Sequence, residues 1–432
     1  MAFEPCMDQI FPMSTSTRSP FRGTCVAWGA ILLLFGTTSC GPATDSEVPA
    51  TRDNASRASW LVDPSPLIEI GVVYGDPLYE LGEISAGRMR SDGGIVLADI
   101  RTKTLRHYSA DGVFRGEWGG EGQGPGEFLF PTQILIDADD AVTAWDGEAW
   151  RATRFSAEGR LLEVTTLQYD ELVGLLEPDL APVTAFVLAG GGYLIPMLEV
   201  PGISSGQKGA VVKSGPAGSG SSLPRQRMVT VMAVPDLSAA RGVMEMRWEE
   251  QVEVAAPWGP FQVAPPLGRR PVYTVRPNDQ GFCVGDQSET SVACVGPSGV
   301  LRNVSWSAPP RPISLDDPEI EEWRERVEGV LAGKMGADAI EGIIGEVPLP
   351  TVRPPYGELI LDHEGNLWIE QGPTSNGSSR EYLVFDSGGS EVGSVVVPDG
   401  RILDIGEGRV LLLTTDQLGV QFVRLHSLEK MG

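Results

Sequence analysis

The sequence predicts an all-β fold built from repeated antiparallel units, on the basis of its composition, an internal repeat and the spacing of its turns. Glycine and proline are plentiful, with 53 and 34 residues among 432, and only 21% of the residues are charged. This composition is typical of a turn-rich chain of strands, and a hydrophobic fraction of 41% is too high for a disordered one. The length suffices for one large or two ordinary domains with an extensive core.

The repeat consists of a small or acidic turn followed by a short run rich in β-branched and aromatic residues. Glycine in these turns supplies the positive φ that a tight hairpin requires. A second turn and a further strand follow in four of the copies, so each unit comprises about four strands, the size of a propeller blade. The six segments are DGGIVLAD from Asp92, DDAVTAWD from Asp139, GGGYLIP from Gly190, DQGFCVGD from Asp279, HEGNLWIE from His363 and GEGRVLLL from Gly406.

We therefore predict a six-bladed β-propeller over residues 61–432, closed by an N-terminal strand. After Arg401 the chain offers three strands, RILDI, RVLLLTT and VQFVRLHSL, and then ends. The run PLIEIGVV, at residues 66–73, stands before the first full repeat without a unit of its own. Supplying the missing outer strand from the N-terminus would protect both open edges of the ring.

Two insertions interrupt the regular spacing. Residues 201–227 are rich in glycine, serine and proline and predict a mobile loop. Residues 312–350, between predicted blades four and five, contain a helix signal in which Asp317 caps the helix and Pro318 is its first residue. We expect this helix to dock on the propeller wall, with a lid over a binding face as the alternative. The apolar residues on one helix face are Ile320, Trp323, Val327, Val330 and Leu331.

The N-terminus predicts export. Residues 25–36 form an uncharged apolar run, too short to span a bilayer, with Arg18 and Arg22 upstream, as in a signal peptide. The run leads into TTSC, which ends at Cys40 and resembles a bacterial lipobox, although Thr37 replaces the usual aliphatic residue. We expect lipidation at Cys40. Ordinary signal cleavage and a retained anchor are the alternatives.

These signals divide the chain into a signal peptide at residues 1–39, a lipidated flexible tether at 40–60 and the propeller. Acidic residues near the start leave Met1 and Met13 both open as the first residue. Gly41 is not the aspartate that retains lipoproteins at the inner membrane of enteric bacteria. We expect a monomer anchored at the cell envelope only through its lipid, on the outer membrane in a host that has two.

Only Cys283 and Cys294 remain in the predicted mature domain. They lie in two short alternating runs around a polar turn, and a hairpin symmetric about residues 288 and 289 would place them opposite each other. In an oxidising compartment we expect them to form a disulfide, with two buried free thiols as the alternative.

Parts of the chain resemble a known family of repeats. Residues 119–162 resemble an NHL-type repeat, and GQGPGEF, ending at Phe128 with Pro131 after it, is similar to the link between two blades. Residues 359–398 are similar to a fifth blade. Over residues 61–428 the chain thus resembles six-bladed propeller lipoproteins of bacteria. The resemblance implies the fold and almost nothing about activity, because a fold alone does not determine function.

The sequence offers little catalytic chemistry. A net charge of −25 argues against nucleic acid and anionic lipid headgroups as partners. A nucleophile elbow, a P-loop and an HExxH motif are missing. His107 and His426, in strands, and His363, in a turn, each lack a second ligand at metal spacing, and only convergence around a propeller axis would make them a site. We therefore predict no metal and no cofactor.

Many carboxylates fall at strand ends or turns. We expect them to accept hydrogen bonds from backbone N–H groups rather than to bind calcium, which requires six or more converging oxygens. They are Asp99, Asp137, Asp139, Asp140, Asp146, Asp286, Asp362 and Asp386.

Two functions from different classes follow. The favoured one is a non-catalytic module of the cell envelope that binds a protein, a peptide or a glycan on one face of the ring. The alternative is a propeller hydrolase, lyase or dehydrogenase that uses residues around the axis. Convergence of carboxylates, histidines or arginines at one mouth of the channel would help to discriminate between them.

Overall fold

The computed structural model describes residues 58–200, 225–277, 281–296, 301–314, 316–373 and 379–431. The predicted signal peptide, Cys40 and most of the tether lie outside these residues, as does most of the predicted loop at 201–227. The last residue of that loop, Arg227, begins a strand, so the insertion is shorter than the sequence suggests.

Strands dominate the described residues, and they form a series of sheets in chain order. The chain begins with β1 (Ala58–Val62) and β2 (Ile68–Ile70). The first sheet contains β3 (Ile84–Met89), β4 (Ile95–Asp99), β5 (Thr104–Tyr108) and β6 (Phe114–Gly119). The second contains β7 (Pro131–Ile136), β8 (Val142–Asp146), β9 (Arg151–Phe155) and β10 (Leu161–Thr166), and the short helix α1 (Tyr169–Leu172) follows it.

The third sheet contains β11 (Leu180–Pro182), β12 (Phe186–Val187), β13 (Tyr193–Glu199), β14 (Arg227–Ala233) and β15 (Ala240–Arg247). A two-stranded hairpin, β16 (Val252–Ala256) and β17 (Gly259–Val263), comes next. The fourth sheet contains β18 (Val272–Val275), β19 (Phe282–Gly285), β20 (Ser291–Val295) and β21 (Leu301–Ser305). Two helices follow, α2 (Pro318–Leu331) and α3 (Ala337–Glu346).

The remaining strands belong to one nine-stranded sheet that also includes β1 and β2. They are β22 (Leu359–Leu361), β23 (Leu367–Pro373), β24 (Ser379–Phe385), β25 (Glu391–Pro398), β26 (Arg401–Gly406), β27 (Arg409–Thr415) and β28 (Gln421–Met431). The six turn-and-strand segments found in the sequence contribute β4, β8, β13, β19, β23 and β27.

The sheets are arranged as in a propeller. The first strand of one sheet lies beside the first strand of a neighbour, as β3 does with β7 and β26, and β18 with β22. Apolar side chains fill the space between successive sheets, as Val96 and Leu105 of the first sheet pack with Ile134 and Val142 of the second. The core is therefore distributed between the faces of adjacent sheets.

The first N-terminal strand, β1, joins the two halves of the nine-stranded sheet. β1 pairs in parallel with β25 and antiparallel with β28, and β2 pairs antiparallel with β28. The predicted pairing of the run at 66–73 with the last repeat is thus present. β1 begins at Ala58, inside the segment assigned to the tether, because its backbone is paired on both sides and Trp60 packs 6.3 Å from Trp368, measured between ring centroids.

The helical insertion follows β21, and its first helix begins as predicted, with the Asp317 carboxylate accepting a hydrogen bond from the Glu319 N–H (3.1 Å). Ile320, Trp323 and Leu331 are buried, but Val330 is 43% exposed because it lies at the edge of the apolar stripe. Helix α3 was not predicted. Both helices pack on the β16–β17 hairpin, and the Trp323 indole N–H donates to the Ala264 carbonyl (2.8 Å).

Cys283 and Cys294 occupy directly opposed positions on β19 and β20 and are joined by a disulfide. This register is the one expected for a hairpin symmetric about residues 288 and 289. Both residues are buried, in a cluster between the fourth sheet and β22 to β24.

Candidate functional site

Turns from several sheets surround a cavity of about 270 Å³, which we call the mouth. Its lining comes from the ends of β3, β7, β18, β22 and β26 and the turns that follow them, each turn joining the first two strands of its meander, and the third sheet supplies no lining residue. The same end of the sheet arrangement therefore provides all of it. The lining residues are Arg88, Met89, Arg90, Ser91, Ile136, Asp137, Ala138, Asp140, Pro277, His363, Gly406 and Glu407.

Two arginines come from the end of β3, two positions apart, so both project to the same side of the chain. Arg90 is only 7% exposed, and its Nη1 donates to the Ala157 carbonyl (2.8 Å). Arg88 donates through Nη1 to the carbonyls of Gly87 (3.2 Å) and Leu403. Main-chain carbonyls of the first, second and nine-stranded sheets thus hold the two guanidinium groups in place.

A buried ion-pair network connects three strands at the mouth. The Asp404 carboxylate, on β26, lies 3.6 Å from Arg88 Nη1 and accepts a hydrogen bond from the Met89 N–H (2.9 Å). Nε2 of His363, which follows β22, is 3.1 Å from both Asp404 oxygens. Burial opposes ionisation of Asp404, yet Arg88 and His363 lower its pKa, so the carboxylate is ionised.

His363 is held in place by its hydrogen bond to Asp404 and by close packing against Gly406. The hydrogen bond to Asp404 raises the pKa of His363 above its usual value, although burial acts in the opposite direction. The imidazole packs against Gly406, where an added Cβ would lie 2.6 Å from His363 Cγ. Glycine at this position is therefore required for the imidazole to reach Asp404.

The turn after β7 also lines the mouth and is bonded to the first sheet. Asp140 accepts from the Ser91 N–H (3.0 Å) and the Ser91 hydroxyl (2.6 Å). Asp137 accepts from the N–H groups of Asp139 and Ala141 and from Arg154. Burial opposes ionisation of Asp137, but the hydrogen bond from Arg154 and those from the backbone lower its pKa.

The other two histidines do not join the mouth. His107 lies on β5 beside the Trp118 ring, and burial, reinforced by Arg90, lowers its pKa. His426 is buried on β28, with Nδ1 2.8 Å from the Asp63 carbonyl oxygen. Across the described ranges, no three His, Cys, Asp or Glu side chains are grouped as a metal site would require.

Most of the predicted turn carboxylates accept backbone hydrogen bonds. Asp99 accepts from the N–H groups of Gly82 and Glu83, and Asp146 accepts from the corresponding residues of the next sheet, Leu129 and Phe130. The carboxylates that bond backbone N–H groups of their own or a neighbouring turn are Asp137, Asp140, Asp286, Asp362 and Asp386. For these residues the expected hydrogen bonds from backbone N–H groups are present. Asp139 instead contributes its own N–H to Asp137.

Sequence analysis missed the two arginines of the mouth and the aspartate paired with Arg88. Arg88, Arg90 and Asp404 stand in or beside ordinary strands, and their shared position at the ends of first strands is the signal that could have revealed them. Asp146, the equivalent of Asp99 in the second sheet, was among the predicted carboxylates, but the equivalents in two later sheets were missed. Gln287, two residues after β19, accepts a hydrogen bond from the Arg270 N–H (2.8 Å). Glu370, the fourth residue of β23, accepts one from the Glu358 N–H (2.9 Å).

No family model and no curated protein matches this sequence. Among solved structures, the chain is similar to a member of the DUF4221 family from Bacteroides vulgatus ATCC 8482, with 8% identity and a TM-score of 0.45, over 87% of this chain and 100% of that one. It is also similar to the calcium-binding protein regucalcin from Agrobacterium tumefaciens strain C58, with 11% identity and a TM-score of 0.37, over 80% and 91% of the two chains.

A third similar structure is a catalytically inactive virginiamycin B lyase from Staphylococcus aureus, with 10% identity and a TM-score of 0.39, over 85% of this chain and 99% of that one. At such low identities and TM-scores, these similarities carry no argument about what this chain does. Among the helices of the described residues, none has the length and apolarity needed to cross a membrane.

Proposed function

We propose that this protein is an exported, lipid-anchored six-bladed β-propeller that acts as a non-catalytic binding module of the cell envelope, with the mouth as its binding site. The six blades are the four separate sheets and the two meanders of the nine-stranded sheet, with β1 and β2 completing the last blade. The signal-like segment and Cys40 support export and anchoring.

One observation carries the assignment of the site. Turns from five meanders converge on a single cavity whose wall includes Arg88, Arg90 and His363, buried or half-buried side chains that can donate hydrogen bonds. Turns on a rigid scaffold are common places for binding groups. A cavity of about 270 Å³ is slightly below the range of roughly 300–1,000 Å³ typical of small-molecule sites, so it suits a small group of a larger ligand.

The same contacts favour binding over catalysis. The pKa of Asp404 is lowered by Arg88 and His363, which makes it a poor general acid, and its oxygens already accept a hydrogen bond from the Met89 N–H and lie 3.1 Å from His363 Nε2. Asp137 and Asp140 accept hydrogen bonds from their own or adjacent turns. A general base needs a lone pair directed at substrate, and these carboxylates are engaged elsewhere.

The anchor and the binding site are tested separately. Cys40→Ser should move the protein from the membrane fraction to the soluble fraction and abolish labelling by a palmitate analogue, and membrane association that persists without label would contradict lipidation. For the site, size-fractionated envelope peptides and glycans are added to the mature domain, and the shift in melting temperature is measured. Arg115, exposed on β6, provides a control away from the mouth.

A fraction that raises the melting temperature of the wild type and of Arg115→Gln, but not of Arg90→Gln, would support binding at the mouth. Equal shifts in all three proteins, or no shift with any fraction, would contradict it. Chemical conversion of the stabilising compound, detected by mass spectrometry, would favour the hydrolase, lyase or dehydrogenase alternative instead.

A further inference from the structure

Hydrogen-bond donors and acceptors at the mouth are unequally satisfied. Among the acceptors, Asp137 accepts from two backbone N–H groups and Arg154, and Asp140 accepts twice from Ser91. Glu407 accepts from Arg409. Every carboxylate that lines the mouth therefore already has a donor in the described part of the chain.

The two arginines are in the opposite situation. Among the described residues, the two side chains donate hydrogen bonds only to neutral main-chain carbonyls, and Nε of both is buried without an acceptor. The nearest carboxylate oxygens lie 3.6 Å from Arg88 Nη1, and 3.7 and 3.8 Å from Arg90 Nε and Nη2. These separations exceed the 2.7–2.9 Å or so of a charge-assisted hydrogen bond.

The two guanidinium groups that line the cavity are thus ion-paired with carboxylates at 3.6–3.8 Å, but among the described residues neither donates a hydrogen bond to a carboxylate. Burying a charged group is costly unless it is hydrogen-bonded to a partner, so an anion that reaches the Nη2 atoms gains more here than at an exposed site. The lining also holds three carboxylates, Asp137, Asp140 and Glu407, so it is the two guanidinium groups themselves, and not an overall positive charge of the mouth, that would attract an anion.

We propose that the mouth binds the carboxylate of an acidic peptide, either a side chain or a C-terminus, between Arg88 and Arg90. This inference rests on the proposed function and specifies its ligand. A singly charged group fits better than a phosphate, because Asp137, Asp140 and Glu407 would repel a second negative charge. A flexible acidic side chain also fits better than a sugar acid, because His363 is the only aromatic ring among the lining residues and no broad ring surface is available for stacking.

The test compares ligands that differ in one group. Binding of acetyl-glutamate amide to the mature domain is measured by titration calorimetry, with acetyl-glutamine amide as the neutral isostere. Inorganic phosphate and glucuronate are the other anions. We expect the neutral isostere to bind at least about tenfold more weakly, as loss of a hydrogen bond between charged groups predicts. Phosphate and glucuronate should each bind more weakly than acetyl-glutamate amide.

Variants then locate the binding. Arg90→Gln should weaken binding of acetyl-glutamate amide about tenfold or more, and Arg115→Gln should leave it unchanged within about twofold. Arg90→Lys keeps the charge and guards against misfolding of the glutamine variant, and it should give an intermediate affinity because lysine lacks the planar fork of arginine. Melting temperatures of all variants are measured alongside.

The outcomes separate this inference from the proposed function. If acetyl-glutamine amide binds as tightly as acetyl-glutamate amide, and Arg90→Gln abolishes both, the mouth is a binding site but not for carboxylates. If phosphate or glucuronate binds best, the site takes an anion but the peptide assignment is wrong. If none of these probes and no envelope fraction binds in a way that depends on Arg90, both proposals fail.

Discussion

Closure of the last sheet by the N-terminal strand can be tested at one side chain, Ile70. This residue lies on β2, opposite Val423 of β28, and none of its surface is exposed. It packs in one cluster with Tyr108 of the first sheet and Leu411 of β27. Ile70→Ala removes apolar atoms from this cluster and leaves a cavity, which typically costs about 2–5 kcal/mol of the free energy of unfolding.

Leu67 provides a matched control three residues earlier. Its N–H donates to the Leu425 carbonyl (2.7 Å), but its side chain is 60% exposed. Leu67→Ala keeps the backbone hydrogen bond and should change the free energy of unfolding by no more than about 0.5 kcal/mol. The difference between the two variants therefore measures the packing of β2 rather than a general effect of an alanine near the N-terminus.

The assay is thermal and urea unfolding of the mature domain, followed by tryptophan fluorescence. A loss of about 2–5 kcal/mol lowers the melting temperature by several degrees even in a large domain, since each kcal/mol corresponds to about 2–4 °C at 150–250 residues. Melting of Ile70→Ala within about one degree of Leu67→Ala would refute the packing of β2 between the first and last sheets.

Three further predictions concern other contacts. The pKa of His363 is raised in the folded state, so its bond to Asp404 should stabilise the fold fully below about pH 6.5, and the advantage of the wild type over His363→Gln in urea unfolding should shrink as pH rises above that value. Gly406→Ala should also remove the pH-dependent stabilisation by His363, because the added Cβ displaces the imidazole from Asp404. A pH dependence of stability equal to that of the wild type would contradict this prediction. Thiol counting on protein purified from the envelope should find no free Cys283 or Cys294, and two alkylated thiols would rule the bridge out.

Much of the fold could be predicted because each repeat carries its own local signal. The turn before β4 or β23 combines glycine with an acidic or polar residue, and a short run rich in apolar residues follows, as in strands buried on both faces. Helix α3 was missed because AIEGIIGE contains Gly342 and Gly345, which lower helix propensity, and its stability comes from packing on the β16–β17 hairpin. That hairpin belongs to no repeat, so periodicity could not reveal it.

The mouth could not be predicted for a different reason. Arg88 and Asp404 are 316 positions apart in the numbering, and neither forms a motif with its sequence neighbours. Their meeting depends on the circular arrangement of the sheets, which brings β26 beside β3. His363 was noted in the sequence only as a turn residue, since nothing near it indicates that Asp404 would be its partner.

The position of β1 has a consequence for how the chain reaches its final state. In the proposed export, the N-terminus crosses the membrane first, and β1 is released before its partners β25 and β28. Both edges of β1 therefore stay unpaired until those strands follow. An unpaired strand is available to any matching edge, including that of a second copy of the chain. We therefore expect refolding at high protein concentration to yield dimers that exchange β1 in the same register, a domain swap that dilution before refolding should suppress.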